Sequence, residues 1–229
     1  MSYNTKDKTM VYLMPGMAAS PRIFEFIKLP PEFILQPLSW IPPKKKESLA
    51  AYAARMTKRI QHKHPILIGV SFGGILVQEI AKLISCKQVI IVSSVKSNTE
   101  FSRFIQLARS TGAYKLLPTQ WIQNLESLCL FVFGKSIQSR VEAYQKYLSE
   151  RDPNYLNWSI DKLVHWDQHQ APKGVIHTHG DKDSIFPIHK IEKTDQFYSI
   201  DDGSHAIILT HHKWFNTHLP NLINTPVAK

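Results

Sequence analysis

The chain carries at residues 65–77 the stretch Pro-Ile-Leu-Ile-Gly-Val-Ser-Phe-Gly-Gly-Ile-Leu-Val, which joins two patterns of secondary structure. Residues 65–70 form a continuous apolar run, which is typical of a strand buried on both faces of a parallel sheet. Residues 73–85 place apolar side chains along one face of a helix. The stretch therefore predicts a buried strand, a sharp turn and a buried helix in direct succession.

The turn has the pattern Gly-x-Ser-x-Gly, formed by Gly69, Ser71 and Gly73. In this context a nucleophile elbow holds a serine on a strained strand-to-helix turn, with its hydroxyl exposed at the edge of the sheet. We expect Gly69 and Gly73 to let the strand and the helix approach closely, because neither carries a β-carbon. Ser71 is therefore the candidate nucleophile, and a glycine-rich packing turn is the alternative interpretation.

Strand-like and helix-like segments alternate on both sides of this stretch. An amphipathic helix is expected over residues 46–60, and further helices over 20–28, 73–85, 188–193 and 205–218. Apolar strands are expected near residues 9–14, 33–36, 65–70, 88–93, 174–179 and 196–200. The alternation predicts an α/β fold with a doubly wound, mainly parallel sheet of about six strands.

The middle of the chain interrupts this alternation. Residues 97–166 are expected to form successive helices, over 99–110, 118–133 and 139–150. A long helical insertion between two sheet strands is typical of a lid over a site. We therefore predict a core of residues 1–96 and 167–229 with a helical cap of residues 97–166; additional helices packed on the core are the alternative.

Two further polar loops follow predicted strands. Asp181 and Asp183 come after the strand at 174–179, and His205 comes after the strand at 196–200. The carboxyl ends of parallel strands share one edge of the sheet, so these side chains are expected on the same edge as Ser71. A serine nucleophile needs a base, and the base needs a group that orients it.

The chain resembles the α/β-hydrolase superfamily, in a compact form, through Gly-Val-Ser-Phe-Gly-Gly, His-Gly-Asp-Lys-Asp-Ser-Ile-Phe-Pro and Gly-Ser-His. The resemblance implies that Ser71 is the nucleophile, His205 the base and Asp183 the acid. Asp181 is then expected to be a loop-capping carboxylate. The first predicted strand begins near residue 10, so the first two strands of the superfamily's sheet are expected to be missing.

The resemblance also implies an oxyanion hole made of two backbone N–H groups. One is expected from Phe72, directly after the nucleophile, and the other from Met17, in the loop after the first strand. Pro15 stands where many of these hydrolases have histidine. This departure leaves the assignment of Met17 standing, because the donor is a main-chain group.

Composition excludes several other classes. The formal net charge is +10, but the basic residues are scattered apart from 44–46, and we predict no nucleic-acid binding. No apolar run is long enough for a membrane span. The two cysteines form no disulfide framework, so a cytoplasmic location is expected.

The pairs His177/His179 and His165/His169 lack a further ligand at typical spacing, so no metal is expected.

Together these features predict a serine hydrolase of the carboxylesterase kind, which acts on a small or apolar ester and needs no cofactor. A thioesterase, a lactonase, a C–C bond hydrolase or an acyltransferase would use the same three side chains. A binding protein that keeps the fold without turnover is the alternative from a different class. The expected partner is a small acyl substrate, and the oligomeric state stays open.

Overall fold

Six apolar segments form one parallel sheet in the computed structural model, which describes residues 8–112 and 146–225. The strands are β1 (Thr9–Met14), β2 (Phe33–Pro37), β3 (Ile66–Val70), β4 (Gln88–Val92), β5 (Val175–Gly180) and β6 (Phe197–Ile200). Neighbouring strands all pair in parallel, in the order β2-β1-β3-β4-β5-β6. The predicted α/β class and the sheet of six strands are confirmed.

The centre and the edge of this sheet differ in composition for a physical reason. Every residue of β3 and β4 is buried, which explains why their sequences are almost continuously apolar. In β2, at one edge, only Phe33 is buried. This strand ends at Pro37, and proline is tolerated at an edge because it has no N–H to contribute to the ladder.

Helices connect the strands and cover the sheet. The side chain of Ser48 caps the helix that begins at Leu49 by accepting a hydrogen bond from the Ala51 N–H, and Asp152 caps the helix that begins at Pro153 by accepting from the Tyr155 N–H. Short 3₁₀ turns occupy Pro21–Phe24, Asn98–Glu100 and Ile188–Lys190. The helices in the described ranges are α1 (Leu49–Thr57), α2 (Phe72–Ala81), α3 (Arg103–Thr111), α4 (Pro153–Val164), α5 (Ile207–Thr210) and α6 (His212–Asn224).

The two faces of the sheet bury separate apolar clusters. Successive strand side chains point to opposite faces. In β3, Leu67 therefore packs in one cluster with Tyr52 of α1 and Leu76 of α2. Ile68 packs in the other cluster with Phe215 of α6. The sheet is thus covered on both sides, as a parallel sheet requires.

Some helix boundaries differ from the expected ones. The helix α2 begins at Phe72 and ends at Ala81, whereas residues 73–85 were expected. The helix expected over 205–218 is two helices, α5 and α6, separated at His211, whose φ of −117° is not helical. The segment expected to be helical over 20–28 contains the 3₁₀ turn Pro21–Phe24.

The segment predicted to be a cap is described only in part. Its expected helix at 118–133 and most of that at 139–150 lie outside the described residues. At its far end, Trp158 of α4 is buried, with its ring centroid 4.4 Å from that of Tyr52 in α1. This end therefore packs into the layer of α1 and α2, and the boundaries 97 and 166 stay a prediction.

Candidate active site

Ser71 occupies a strained turn between β3 and α2. Its φ is 51° and its ψ is −122°, a backbone conformation that residues with a β-carbon rarely adopt. The Ser71 N–H donates to the carbonyl of Val92 (2.9 Å), and the Ser71 carbonyl accepts from the Gly74 N–H (2.8 Å). The Oγ of Ser94 also donates to that carbonyl, at 2.7 Å. The surrounding hydrogen bonds therefore hold the strained conformation.

Gly69 and Gly73 lie where the backbones of three segments meet. A β-carbon on Gly69 would be 2.6 Å from the carbonyl carbon of Gly73. A β-carbon on Gly73 would be 2.6 Å from the carbonyl oxygen of Met14, at the end of β1. Both distances are shorter than real contacts of a β-carbon allow. The predicted close approach of strand and helix is present, and it includes the neighbouring strand.

Asp183 lies in the turn after β5, with its carboxylate completely enclosed. Its Oδ1 accepts hydrogen bonds from the N–H groups of Ile185 (2.9 Å) and Phe186 (3.0 Å). Burial alone would raise the pKa of Asp183, but the charge and hydrogen bond of His205, with further help from His179 and the Phe186 N–H, hold it below its usual value. The carboxylate is therefore ionised at neutral pH and accepts hydrogen bonds only.

His205 connects this carboxylate to the serine. Its Nδ1 is 2.8 Å from the Oδ2 of Asp183, and its Nε2 is 2.9 Å from the Oγ of Ser71. Because the carboxylate can only accept, the proton of a neutral His205 lies on Nδ1, and Nε2 accepts from the serine hydroxyl. The three side chains form one line of hydrogen bonds that can take a proton from Ser71.

Hydrogen bonds between two loops set the position of His205 relative to Asp183. The Lys182 N–H donates to the carbonyl of Gly203 (2.9 Å), and the Gly203 N–H donates to the Oδ1 of Asp181 (3.1 Å). Asp181 thus binds the loop that carries His205, while Asp183 meets the ring itself. Sequence reasoning left both carboxylates open until the resemblance was applied, because both follow the same strand.

The two expected oxyanion donors lie near Ser71. The N–H of Phe72 belongs to the first turn of α2, where N–H groups have no acceptor within the helix. Met17 lies in the turn after β1, and the residue before it, Gly16, is so close that a β-carbon there would be 3.4 Å from that of Ser71. The loop expected to supply the second donor is therefore next to Ser71.

Sequence reasoning assigned no function to His177 and His179, which are buried beside this site. His179 Nε2 lies 2.7 Å from the carbonyl of Phe186 and 3.4 Å from Asp183 Oδ2, and its Nδ1 is 3.0 Å from His177 Nε2. Burial lowers the pKa of both histidines, so both are neutral near pH 7. Ser94 was also missed, since its role depends on a contact between distant segments.

The described residues contain neither a cluster that could bind a metal ion nor a helix that could span a membrane. Within residues 8–112 and 146–225, no group of three or more His, Cys, Asp or Glu side chains is arranged to hold a metal ion. No helix in that part of the chain combines the length and the apolar character needed to cross a membrane.

Comparisons with known proteins agree with the fold. A family model described as an uncharacterised protein family, UPF0227, matches residues 34–207. Comparison with curated proteins gives no match.

Solved structures similar to the chain have the α/β-hydrolase fold. A hydrolase from Oleispira antarctica is 13% identical with a TM-score of 0.73, and the match covers 99% of both chains. The esterase EaEST from Exiguobacterium antarcticum is 13% identical with a TM-score of 0.72, covering 96% of this chain and 93% of that one. A bromoperoxidase from Bacillus anthracis is 17% identical with a TM-score of 0.70, covering 95% and 92%. At such identities the likeness establishes the fold, and the reaction has to be argued from the site.

Proposed function

The chain belongs to the UPF0227 family, and from that starting point we propose that it is a serine hydrolase that cleaves a small or apolar carboxylic ester. The observation that carries the proposal is the position of His205 between Ser71 (2.9 Å) and Asp183 (2.8 Å). A neutral histidine held in this tautomer is what activation of a serine hydroxyl requires.

The proposed reaction has two halves. In the first, the Oγ of Ser71 attacks the acyl carbonyl carbon while its proton moves to the Nε2 of His205. The tetrahedral intermediate collapses, the bond to the alkoxide breaks, and His205 returns the proton to that leaving group. In the second half, His205 takes a proton from water, the hydroxide attacks the acyl-enzyme, and Ser71 leaves with the proton from His205.

The charges that develop during these steps have partners in the site. Asp183 stabilises the imidazolium of His205, since its carboxylate is ionised and buried against the ring. The N–H groups of Phe72 and Met17 are the proposed donors to the oxyanion. Removing one such donor typically costs about 2.7–4 kcal/mol of transition-state stabilisation.

Apolar rings pack around His205, and this packing is the support for proposing an apolar acyl group. The ring of Phe186 packs edge-on against His205, with centroids 5.6 Å apart, and Phe101 stacks on Phe186 at 6.2 Å. Among the similar structures, those named esterases support ester hydrolysis, while the bromoperoxidase shows that the fold alone does not select a reaction. Thioesters, lactones and C–C bonds therefore belong in the substrate tests, as do acyl acceptors other than water.

The cytoplasm is the location we propose. The thiol of Cys86 is free, which agrees with a reducing compartment, and Cys129 lies outside the described residues.

Covalent labelling of Ser71 tests the proposal. The protein is treated with a small fluorophosphonate, and its intact mass is measured for the wild type, Ser71→Ala and Ser85→Ala. Ser85 is a matched control, because it follows α2 at the end of the helix remote from Ser71. Its Oγ is hydrogen-bonded to the Nδ1 of His64 (3.1 Å). We expect one adduct on the wild type and on Ser85→Ala, and none on Ser71→Ala.

Two other results would overturn the proposal. An adduct that persists on Ser71→Ala would mean that another side chain reacts. A folded wild type that forms no adduct and hydrolyses no p-nitrophenyl ester, thioester or lactone would favour a binding protein that keeps the fold without turnover. With labelling established, rates on p-nitrophenyl esters of increasing acyl length measure which acyl length the enzyme prefers.

A further inference from the structure

The carbonyl group of Gly16 accepts two hydrogen bonds in the loop beside the nucleophile. One comes from the indole Nε1–H of Trp40, at 3.0 Å and buried. The other comes from the N–H of Ala19, at 3.1 Å, and closes a turn in which Ala18 has a positive φ of 62°. A carbonyl oxygen has two lone pairs, so these donors fix its direction from two sides.

The direction of this carbonyl determines the direction of the Met17 N–H. The Gly16 carbonyl and the Met17 N–H belong to one peptide unit, which is planar and trans, so the two groups point in opposite directions. None of the peptide bonds in the described residues is cis. A rotation of this peptide plane would move the Met17 N–H away from its present direction and would break the bond to Trp40.

Trp40 also contacts the residue that carries the other proposed donor. Its ring stacks on that of Phe72, with centroids 5.4 Å apart and an interplanar angle of 14°. Tyr155 packs against the same indole at 5.2 Å. One side chain, held in a buried aromatic cluster, therefore contacts both the Gly16–Met17 peptide and the residue that carries the other proposed donor.

We propose, resting on the serine hydrolase function above, that Trp40 is a positioning residue for the oxyanion hole. Its indole N–H holds the Gly16–Met17 peptide so that the Met17 N–H is directed at the developing oxyanion before the reaction begins. Donors that are oriented in advance need no reorganisation in the transition state, which is the basis of this kind of stabilisation. The hydrogen bond to the carbonyl also polarises the peptide and strengthens its N–H as a donor.

The effect of losing this hydrogen bond should fall on the transition state. The negative charge on the oxygen develops only there, whereas the bound ester carries a neutral carbonyl. Interactions made only in the transition state change kcat and leave KM almost unaltered. A purely structural role for Trp40 would lower kcat only through loss of folded protein, which circular dichroism and Tm detect.

Trp158 provides a matched control. Both indoles are 8% exposed, and both contact Tyr52 and Phe72. The Nε1–H of Trp158 also donates to a backbone carbonyl, at 2.8 Å, but that carbonyl belongs to Glu47, immediately before the cap of α1. Trp→Phe at either position removes one indole hydrogen bond and similar apolar volume from the same cluster.

The experiment compares kcat and KM of wild type, Trp40→Phe and Trp158→Phe on p-nitrophenyl butyrate, with circular dichroism and Tm as checks of folding. We expect Trp40→Phe to lower kcat about 10- to 100-fold with KM changed less than about threefold. We expect Trp158→Phe to keep kcat within about threefold of the wild type, because its loss is one of packing. Equal losses in both variants, or a change confined to KM, would overturn the inference.

A second variant covers the case in which Trp40→Phe does not fold. Replacing Trp40 by 3-benzothienylalanine keeps the bicyclic shape and exchanges the N–H for sulfur, so only the hydrogen bond is lost. The same fall in kcat is expected for this variant. If its kcat instead equals that of the wild type, the inference is overturned while the hydrolase function stands. An inactive wild type that also fails to react with the fluorophosphonate would remove the proposed function and this inference together.

Discussion

The Nε2 of His205 lies 2.9 Å from the Oγ of Ser71, although 134 positions separate them along the chain. Ser71 follows β3 and His205 follows β6, with β4 and β5 between these strands in the sheet. Neighbouring strands are about 4.8 Å apart, so the loop after β6 has to reach across about 14 Å. Asp183, after β5, meets the ring of His205 along this path.

Replacing Asp183 by Asn should abolish most of the activity and keep the fold. The Asn oxygen can still accept from the Ile185 and Phe186 N–H groups, but the amide no longer holds His205 in the tautomer that accepts from Ser71. We expect kcat on p-nitrophenyl butyrate to fall by about 10⁴-fold.

Asp181→Asn is the matched control for this change, because Asp181 lies in the same turn and binds the Gly203 N–H. Asparagine preserves that acceptor, so kcat should stay within about threefold of the wild type. A larger loss in Asp181→Asn than in Asp183→Asn would reverse the assignment of the acid.

The carboxylate of Asp183 should also make folding stability depend on pH. Its pKa in the folded protein is lower than its ordinary value of 3.8: burial would raise it, but the pairing with His205 outweighs that effect. The ionised form is therefore favoured by folding, and this stabilisation is complete above the unfolded pKa and is lost as the pH falls through the folded pKa.

Urea unfolding of the wild type and Asp183→Asn at pH 5 and pH 3 measures this contribution. The free energy of unfolding of the wild type, relative to the variant, should be smaller at pH 3 than at pH 5. A difference that grows on acidification would mean that the folded-state pKa of Asp183 is raised.

Ser94→Ala should weaken the support of the strained turn at Ser71. The Ser94 hydroxyl donates to the Ser71 carbonyl at 2.7 Å, and that carbonyl keeps its bond from the Gly74 N–H when the hydroxyl is removed. We therefore expect a loss of about 1 kcal/mol in the free energy of unfolding. We also expect kcat to fall, by less than about tenfold, because the proposed nucleophile is less firmly held.

Ser97→Ala serves as the comparison. Ser97 also follows β4, but its Oγ is hydrogen-bonded to the Oγ1 of Thr99 (2.6 Å) and not to the turn at Ser71. It should show a similar loss of stability, measured by urea unfolding, and unchanged kcat. A fall in kcat of equal size in both variants would show that the hydrogen bond from Ser94 does not hold Ser71 in its active conformation.

Cys86 should react slowly with thiol reagents. Burial raises the pKa of its thiol to about 11, from an ordinary value of 9.0. At pH 8 this lowers the thiolate fraction from about one in ten to about one in a thousand, so reaction with a disulfide reagent should be about 100-fold slower than for a free thiol.

The measurement uses a Cys129→Ser background, so that Cys86 is the only thiol observed. Rapid reaction in guanidinium chloride and slow reaction in buffer are expected. Rapid reaction of the folded protein would show that Cys86 is exposed, and loss of fluorophosphonate labelling after alkylation would connect it to the proposed active site.

The sequence by itself determined the architecture around Ser71. The short apolar run before it is typical of a strand buried on both faces, and Gly69 and Gly73 permit the backbone contacts that a sharp strand-to-helix turn requires. It also determined that Asp183 and His205 lie at the same edge of the sheet, since both follow strands of a parallel sheet. These inferences depend on local pattern and on a general rule of topology, which the order of residues contains.

Only the tertiary structure brings particular side chains together within that edge. Asp181 and Asp183 have the same chemistry and follow the same strand, so residue type did not separate them; the resemblance favoured Asp183, and the way the loops after β5 and β6 bind each other puts the Asp183 carboxylate against the His205 ring. The bond from Trp40 to Gly16 spans 24 positions and follows from the packing of an aromatic cluster drawn from separate segments. Such contacts depend on distances and angles between distant parts of the chain, and residue types and spacing do not specify these before the chain has folded.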